Sequence, residues 1–242
     1  TEFFDDEKFM IVFKNTVGIS FWKLVVGFPL PIILALLLNE LKSMAFKRVV
    51  QTITYLPHFI SWVVLGGIMM TWFEETGVGT QLLVQLGILN KPVFLFAEPD
   101  YFWSMAVATD VWKELGWSSI IYLASIAGID QEMYEAAIVD GAGRFRRIWY
   151  ITLPSIKPTI AILFVLAVSG LMNANFDQIF VMKNSMNAQA SEVLDIYVYR
   201  MGLQSYRFSY AAAIGLIRSV ISLVLLICAN AFAKKLTEDS LF

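Results

Sequence analysis

The chain has 242 residues and a formal net charge of -2, with 58% hydrophobic residues against 16% charged. A soluble domain of this length needs the reverse balance, so the composition excludes a water-soluble globular protein and places the chain in a bilayer. The near-neutral charge, with no Lys/Arg-rich block and no aromatic-basic alternation, excludes nucleic acid as a partner.

The chain opens at Thr1, and Glu2, Asp5, Asp6 and Glu7 stand where a signal peptide would have its basic start. We expect an N-terminal portion to precede it in the full-length protein. A bilayer's hydrocarbon layer is about 30 Å thick and a helix rises about 1.5 Å per residue, so runs of roughly twenty mostly apolar residues are the unit to look for. Five such runs are present, near Thr16–Leu38, Val49–Phe73, Phe102–Ala127, Ile156–Phe180 and Tyr210–Phe232. The first contains Pro29 and Pro31, the second Pro57 and His58, the third Asp110, Lys113 and Glu114. Such groups are costly in hydrocarbon and persist where they face protein or a wet cavity. The prediction is an all-α fold, a polytopic transmembrane helical bundle around a path. No short repeat or low-complexity linker divides it, so residues 1–242 form a single membrane domain. Cys228 lies in an apolar run, where a lone thiol forms neither an intrachain disulfide nor a metal site.

Five runs put the two ends on opposite sides of the membrane. Lys42, Lys47 and Arg48, then Arg144, Arg146, Arg147 and Lys157, then Lys234 and Lys235 flank the runs on one side. The other side has fewer basic residues over longer segments: Lys8, Lys14, Lys91, Lys183, Arg200 and Arg207. The positive-inside bias places the start of this chain outside and its C-terminus in the cytoplasm, so we expect one further span before Thr1.

Between the third and fourth runs lies Tyr134-Glu135-Ala136-Ala137-Ile138-Val139-Asp140-Gly141-Ala142-Gly143, followed by Arg144-Phe145-Arg146-Arg147-Ile148-Trp149-Tyr150-Ile151-Thr152-Leu153-Pro154. Asp130 can cap a short helix whose first turns favour Glu132 and Glu135, and Gly141 and Gly143 supply the turn that ends it. A second short helix begins near Arg144, with Phe145, Ile148 and Trp149 recurring at i, i+3, i+4 as an apolar stripe. An exposed helix with such a stripe wants a partner, and Ala136, Ala137, Gly141, Ala142 and Gly143 let another surface approach the backbone closely. An amphipathic helix lying on the membrane surface is the plainer reading.

This stretch resembles the "EAA" loop of permease subunits of binding-protein-dependent, ATP-driven (ABC) importers, through Glu135-Ala136-Ala137, Asp140-Gly141-Ala142 and Ile151-x-Leu153-Pro154 at the family's spacing. Asp130 departs from the proline of many relatives but retains capping chemistry. The resemblance implies a MetI/MalF-like permease core in the bacterial cytoplasmic membrane. It also implies that residues 128–155 are a coupling helix docked on a cytoplasmic ATPase dimer, through Glu135, Ala136, Ala137, Asp140, Gly141, Ala142, Phe145, Ile148, Leu153 and Pro154. The segments Tyr55-Leu56-Pro57-His58-Phe59-Ile60-Ser61-Trp62-Val63-Val64 and Ile196-Tyr197-Val198-Tyr199-Arg200-x-Gly202-Leu203, leading to Tyr206-x-Phe208-Ser209-Tyr210-Ala211, are similar to the oligo- and polysaccharide branch. That branch implies a second, similar permease as heterodimer partner and an extracellular solute-binding lipoprotein. ATP and Mg would sit on the ATPase, and no cofactor on this chain.

Sugar needs hydroxyl-matching polar groups and flat aromatic faces. The fourth run supplies Asn173, Asn175, Asp177 and Gln178, and the third supplies Trp112 and Trp117. On a continuous helix Asn173 and Asp177 share a face while Asn175 points about 200° away, so not all line one cavity. In maltose-type permeases asparagines in the corresponding part of this span contact sugar, which by resemblance falls on Asn173 and Asn175. Interhelical hydrogen bonding, about 0.6–2 kcal/mol per bond, is the equal alternative. Lys113 can pair with Asp110 or Glu114 as a structural ion pair. His58 reads as a buried hydrogen-bonding residue and not a metal ligand, and Arg218 as the partner of an acid on a neighbouring helix.

No Gly-rich phosphate loop ending in Gly-Lys-Ser/Thr is present, so the chain needs an ATPase partner. The rival reading is an ion-gradient-driven secondary transporter with Asp110, Glu114 and Asp177 as coupling groups. A membrane enzyme would need a nucleophile-base constellation, a metal cluster or an isolated carboxylate pair, and the sequence supplies none of these.

Overall fold

The computed structural model describes residues 7–237, and every regular element among them is helical. Helices α1 (Glu7–Gly27) and α2 (Pro29–Glu40) are separated by a turn at Phe28. Pro29 and Pro31 lack the N–H groups that would continue the ladder from α1, so the turn falls where the sequence removes its bonds. Helix α3 (Met44–Tyr55) is capped by Ser43, which accepts from the Phe46 N–H at 3.3 Å. A 3-10 turn over Leu56–Phe59, carrying Pro57, then leads to α4 (Trp62–Trp72), capped by Ser61. Next come α5 (Val78–Gln85), α6 (Pro99–Ala127), α7 (Gln131–Val139) and α8 (Arg144–Arg147). A π-helical turn over Ile148–Thr152 joins α8 to α9 (Leu153–Ser155), and α10 (Lys157–Ser169) follows. The chain closes with α11 (Phe176–Met182), α12 (Ala188–Ser191), α13 (Leu194–Tyr199) and α14 (Phe208–Thr237).

Among the described residues two stretches are apolar and long enough to cross a bilayer, Lys8–Glu40 and Phe208–Lys235. Two more qualify only as broken pairs, Met44–Phe59 with Trp62–Trp72 and Arg144–Ser155 with Lys157–Met172, the latter bent by 62°. The third predicted span is α6, whose 29 residues reach roughly 43 Å but carry Asp110, Lys113 and Glu114. The fourth predicted span needs correction. It does not continue to Phe180 as one helix, because α10 gives way to a 3-10 turn at Gly170–Met172 and the chain restarts only at Phe176.

The residues fall into two compact units. The first draws on the chain up to Val26, on Phe59–Trp112 and on Gly170–Ser222. Its core gathers Ile19, Trp62, Leu65, Met69, Phe96, Phe102, Ile179 and Met182, with α4 packed on α11. Gly66 makes that packing close, since a Cβ there would stand 2.6 Å from Val181 Cγ1. Long-range polar pins hold the unit's loops. Asn15 Nδ2 donates to the carbonyls of Gln189 and Glu192 at 2.8 and 3.0 Å, and Thr16 Oγ1 accepts from the Leu194 N–H at 2.8 Å. Arg218 pairs with Asp195 of α13, as the sequence led us to expect.

The second unit comprises Gly27–His58, Lys113–Ser169 and the chain from Leu223. Ala35, Tyr122, Ile126, Ile129 and Ile156 form one cluster, and Val165, Ala229 and Ala233 another. Helix α3 presents an inverted pattern, with Phe46, Val49 and Ile53 exposed while Gln51, Thr54 and Tyr55 are half-buried. An apolar face outward suits lipid, which has no use for polar groups. The inward face lies on α6, where Gly116 has no side chain and a Cβ would meet the Thr54 carbonyl oxygen at 2.1 Å.

That contact sets a stability test. Gly116→Val should lower the thermal midpoint of the purified subunit in detergent by roughly 5 °C, the scale expected of a buried clash costing about 1–3 kcal/mol. Gly170→Ala, where a Cβ meets nothing within 4 Å, should leave the midpoint unchanged. Equal midpoints for Gly116→Val and the parent would remove the close approach of α3 and α6.

Candidate functional site

Residues 128–155 form a helix-turn-helix in the second unit. Asp130 caps α7 by accepting from the Glu132 N–H at 2.9 Å. At its other end Gly141 sits at φ +75°, its N–H donating to Ile138 O at 3.0 Å while the Ala142 N–H donates to Ala137 O at 2.8 Å. This pair of bonds closes the helix with a left-handed residue, a conformation that favours glycine. The reversal at Asp140-Gly141-Ala142 is therefore built from backbone geometry, and Gly143 starts α8. Pro154 has no N–H, and the ladder widens into the π-helical turn immediately before Leu153. Tyr134 OH and Thr152 Oγ1 stand 2.9 Å apart and tie α7 to the returning helix.

The loop has an anchored side and an open side. Tyr134, Ile151 and Leu153 pack partly buried against the Ile126, Ile129 and Ile156 cluster. Glu135, Ala136, Asp140, Gly141 and Pro154 are exposed, and Ala137, Ala142 and Ile148 are half-buried. Phe145 is 89% exposed and Val139 87%, and Ile138, Trp149 and Tyr150 are also exposed. So many apolar side chains on a rigidly capped turn make a surface suited to cover by another protein. Beside it, a cavity of about 380 Å³ is lined by Glu40, Lys42, Glu135, Arg144 and Arg147 among others, with Arg144 at 3.8 Å from Glu40.

In the first unit the polar residues of the fourth run meet Asp110. Lys23 Nζ lies 2.9 Å from Asp110 Oδ1, donates to the Ala174 carbonyl at 3.1 Å and reaches Gln178 Oε1. Asn175 Nδ2 donates to Asp110 at 3.3 Å. The helical spacing argument for Asn173, Asn175 and Asp177 fails here, because residues 173–175 are not helical. Asn175 is instead the N-cap of α11, at φ 70° and ψ 90°, its Oδ1 accepting from the Gln178 N–H. Gln178 is 0% exposed, its amide donating to Ala106 O at 2.7 Å and to Thr109 Oγ1 at 2.9 Å. In this chain it braces α11 against α6. Asn173 and Asp177 are exposed, as is Trp112. Asp110 pairs with Lys23, a partner the sequence alone did not reveal. A lone lysine within an apolar run is itself the signal, since it is costly there unless a carboxylate meets it.

The second unit holds a separate cluster at the end of α3. His58 Nδ1 lies 2.7 Å from Glu114 Oε2, and its ring stacks on Trp117 with centroids 4.4 Å apart and planes 1° from parallel. Lys113 donates to the His58 carbonyl and stands 3.5 Å from Glu114. His58 is a hydrogen-bonding residue, as predicted, though half-buried and not buried, and one face of Trp117 is occupied by its ring.

Residues 27–238 match the family described as the inner membrane component of binding-protein-dependent transport systems. Along its whole length the chain is 42% identical to 76% of Protein LplB of Bacillus subtilis (strain 168). It is 37% identical, over 99% of its length and 74% of the relative, to the polygalacturonan/rhamnogalacturonan transport system permease protein YteP of the same organism. It also resembles a chain in the crystal structure of a bacterial ABC transporter involved in the import of the acidic polysaccharide alginate. The TM-score there is 0.91 at 38% identity, covering 97% of this chain and 82% of that one. A structure of a bacterial alginate ABC transporter in complex with an alginate pentasaccharide-bound periplasmic protein gives a TM-score of 0.93 at 37% identity, over 99% of this chain and 83% of that one. The all-helical architecture is the MetI-like permease fold, and the chain belongs to the inner membrane components of binding-protein-dependent transport systems.

Proposed function

We propose that this permease carries oligosaccharides or polysaccharide fragments into the bacterial cytoplasm, paired with a second, similar permease and driven by a cytoplasmic ATPase dimer that binds ATP and Mg. An extracellular solute-binding lipoprotein delivers the cargo. The chain's described start lies outside and its C-terminus lies in the cytoplasm, which puts residues 128–155 on the ATPase's side of the membrane. The observation that carries this reading is the capped α7–α8 turn, anchored below by Tyr134 and Thr152 and bare above at Val139 and Phe145. A docking ATPase needs a stiff lever more than a sticky one, and the turn at Gly141 supplies stiffness through backbone bonds.

The glycans named for YteP and for the solved neighbours guide the choice of cargo. YteP is named for polygalacturonan and rhamnogalacturonan, and the solved neighbours for alginate, all of them glycans. Trp112, Asn173 and Asp177 are exposed and offer an aromatic face and hydroxyl-matching groups. Asn173 is held by the Asn175 N–H, which donates to its Oδ1 at 3.0 Å. An ion-gradient mechanism is the weaker reading, because Asp110 is engaged by Lys23 and Glu114 by His58 and Lys113.

Gly141→Val should leave the subunit inserted and assembled while lowering ATP-driven sugar uptake in proteoliposomes about tenfold, because a branched residue is strained at φ +75°. Uptake by the unsubstituted transporter should persist when ionophores collapse all ion gradients; its loss under that treatment alone would favour the secondary-transport reading. For the path, Asn173→Ala combined with Asp177→Ala should reduce the uptake kcat/KM by about tenfold, the scale of one or two lost hydrogen bonds, with ATPase activity retained. Unchanged uptake kinetics would remove these two residues from the path.

A further inference from the structure

The end of α11 and the segment that follows it line an open cavity of about 490 Å³ within the first unit. Its lining combines three chemistries. Phe180 and Tyr199 form an aromatic wall, with ring centroids 5.6 Å apart and planes at 77°. Ser185 and Gln204 are exposed polar side chains on the same cavity. Lys183 and Arg200 are cations that both turn to a single carboxylate, Glu192, which is itself largely buried.

The charges on this lining do not balance. Glu192 can offset one cation, and Arg200 approaches it at 2.8 Å through one Nη while the guanidinium side chain remains 37% exposed. Five N–H donors on a planar fork are more than one carboxylate edge can take. Burial, and after it the Arg200 charge, pull the Lys183 ammonium below the ordinary lysine range. A second carboxylate in the cavity would accept from Arg200 and offset the repulsion between the cations. A neutral sugar ring would gain from Phe180, Tyr199, Ser185 and Gln204 but would leave the surplus charge unmet. A bare anion would use the cations and leave the aromatic wall idle. A ring bearing its own carboxylate uses all three.

We infer that this cavity binds a uronate residue of an acidic oligosaccharide, with Arg200 and Lys183 on its carboxylate, Tyr199 and Phe180 against its ring and Gln204 and Ser185 at its hydroxyls. The inference rests on the importer reading above and narrows its substrate to carboxylated glycans. The cavity's size suits one or two sugar rings, within the range of small-ligand sites.

The test uses the whole transporter, with its second permease and ATPase, in nanodiscs without the solute-binding protein. It is titrated calorimetrically with trigalacturonate and with fully methyl-esterified trigalacturonate, which keeps the skeleton and masks the charge. The acid should bind about tenfold tighter than the ester, the difference of one charge-assisted contact. Arg200→Gln should bring the two affinities to within about twofold. Should Arg200→Gln impair assembly, Gln204→Glu at an exposed position supplies an internal carboxylate and should erase the preference equally. Equal binding of acid and ester by the unsubstituted transporter, or a preference untouched by Gln204→Glu, would overturn the site. ATP-driven uptake of mixed neutral and acidic oligosaccharides is measured on the same transporter reconstituted with its solute-binding protein. Import of sugar without acid preference sinks only this inference, whereas no import of any sugar sinks the importer reading itself.

Discussion

Inside hydrocarbon no water meets a freed carbonyl or a bare charge, so each interruption of a span must be repaired by the protein itself. Two lysines make the same repair in the two units. Lys23 donates to the Ala174 carbonyl at the break before α11 and pairs with Asp110. Lys113 donates to the His58 carbonyl at the break after α3 and contacts Glu114. In each case the break frees a backbone acceptor, the lysine meets it, and a carboxylate meets the lysine. Removing one partner of the largely buried Lys23–Asp110 pair leaves a charge uncompensated, which costs about 3–5 kcal/mol, whereas the intact pair is close to neutral in stability. Its value lies in fixing where the chain is broken.

Broken spans in turn decide which side chains can serve a path. Asn175 is held at positive φ by its capping bond and by Asp110, and Gln178 is locked against Ala106 and Thr109. These two position the backbone, and Asn173 and Asp177 are left exposed beside them. The α7–α8 turn follows the same division of labour, with a part-buried hydrogen bond between Tyr134 and Thr152 under an exposed Phe145. Anchored beneath and bare above, it would suit the ATPase-docking role proposed for it.

Much of this was legible in the sequence, for reasons that can be named. Asp130 and Gly141 acted through local backbone chemistry, so the cap and the turn were predictable from a few residues. Composition was enough for the membrane class, and the Glu135-to-Pro154 motif for the family. What escaped was non-local. The fourth apolar run reads as one helix because periodicity cannot see that residues 173–175 surrender their ladder for a bond to Asp110, 65 positions away. Lys23 was passed over because its partner lies 87 residues along the chain. The contact of Lys113 with Glu114, one of the two acids the sequence offered it, was legible because the two are adjacent in the chain. Sequence neighbours are visible in a motif, and partners brought together by folding are not.

The central claim is that the α7–α8 turn is where an ATPase grips this subunit. A photo-crosslinking residue placed at Phe145, in the transporter assembled with its ATPase, tests it directly. The account predicts a specific adduct between position 145 and the ATPase, with yield that changes when ATP is added. An adduct to lipid alone, or to the second permease with none to the ATPase, would contradict it.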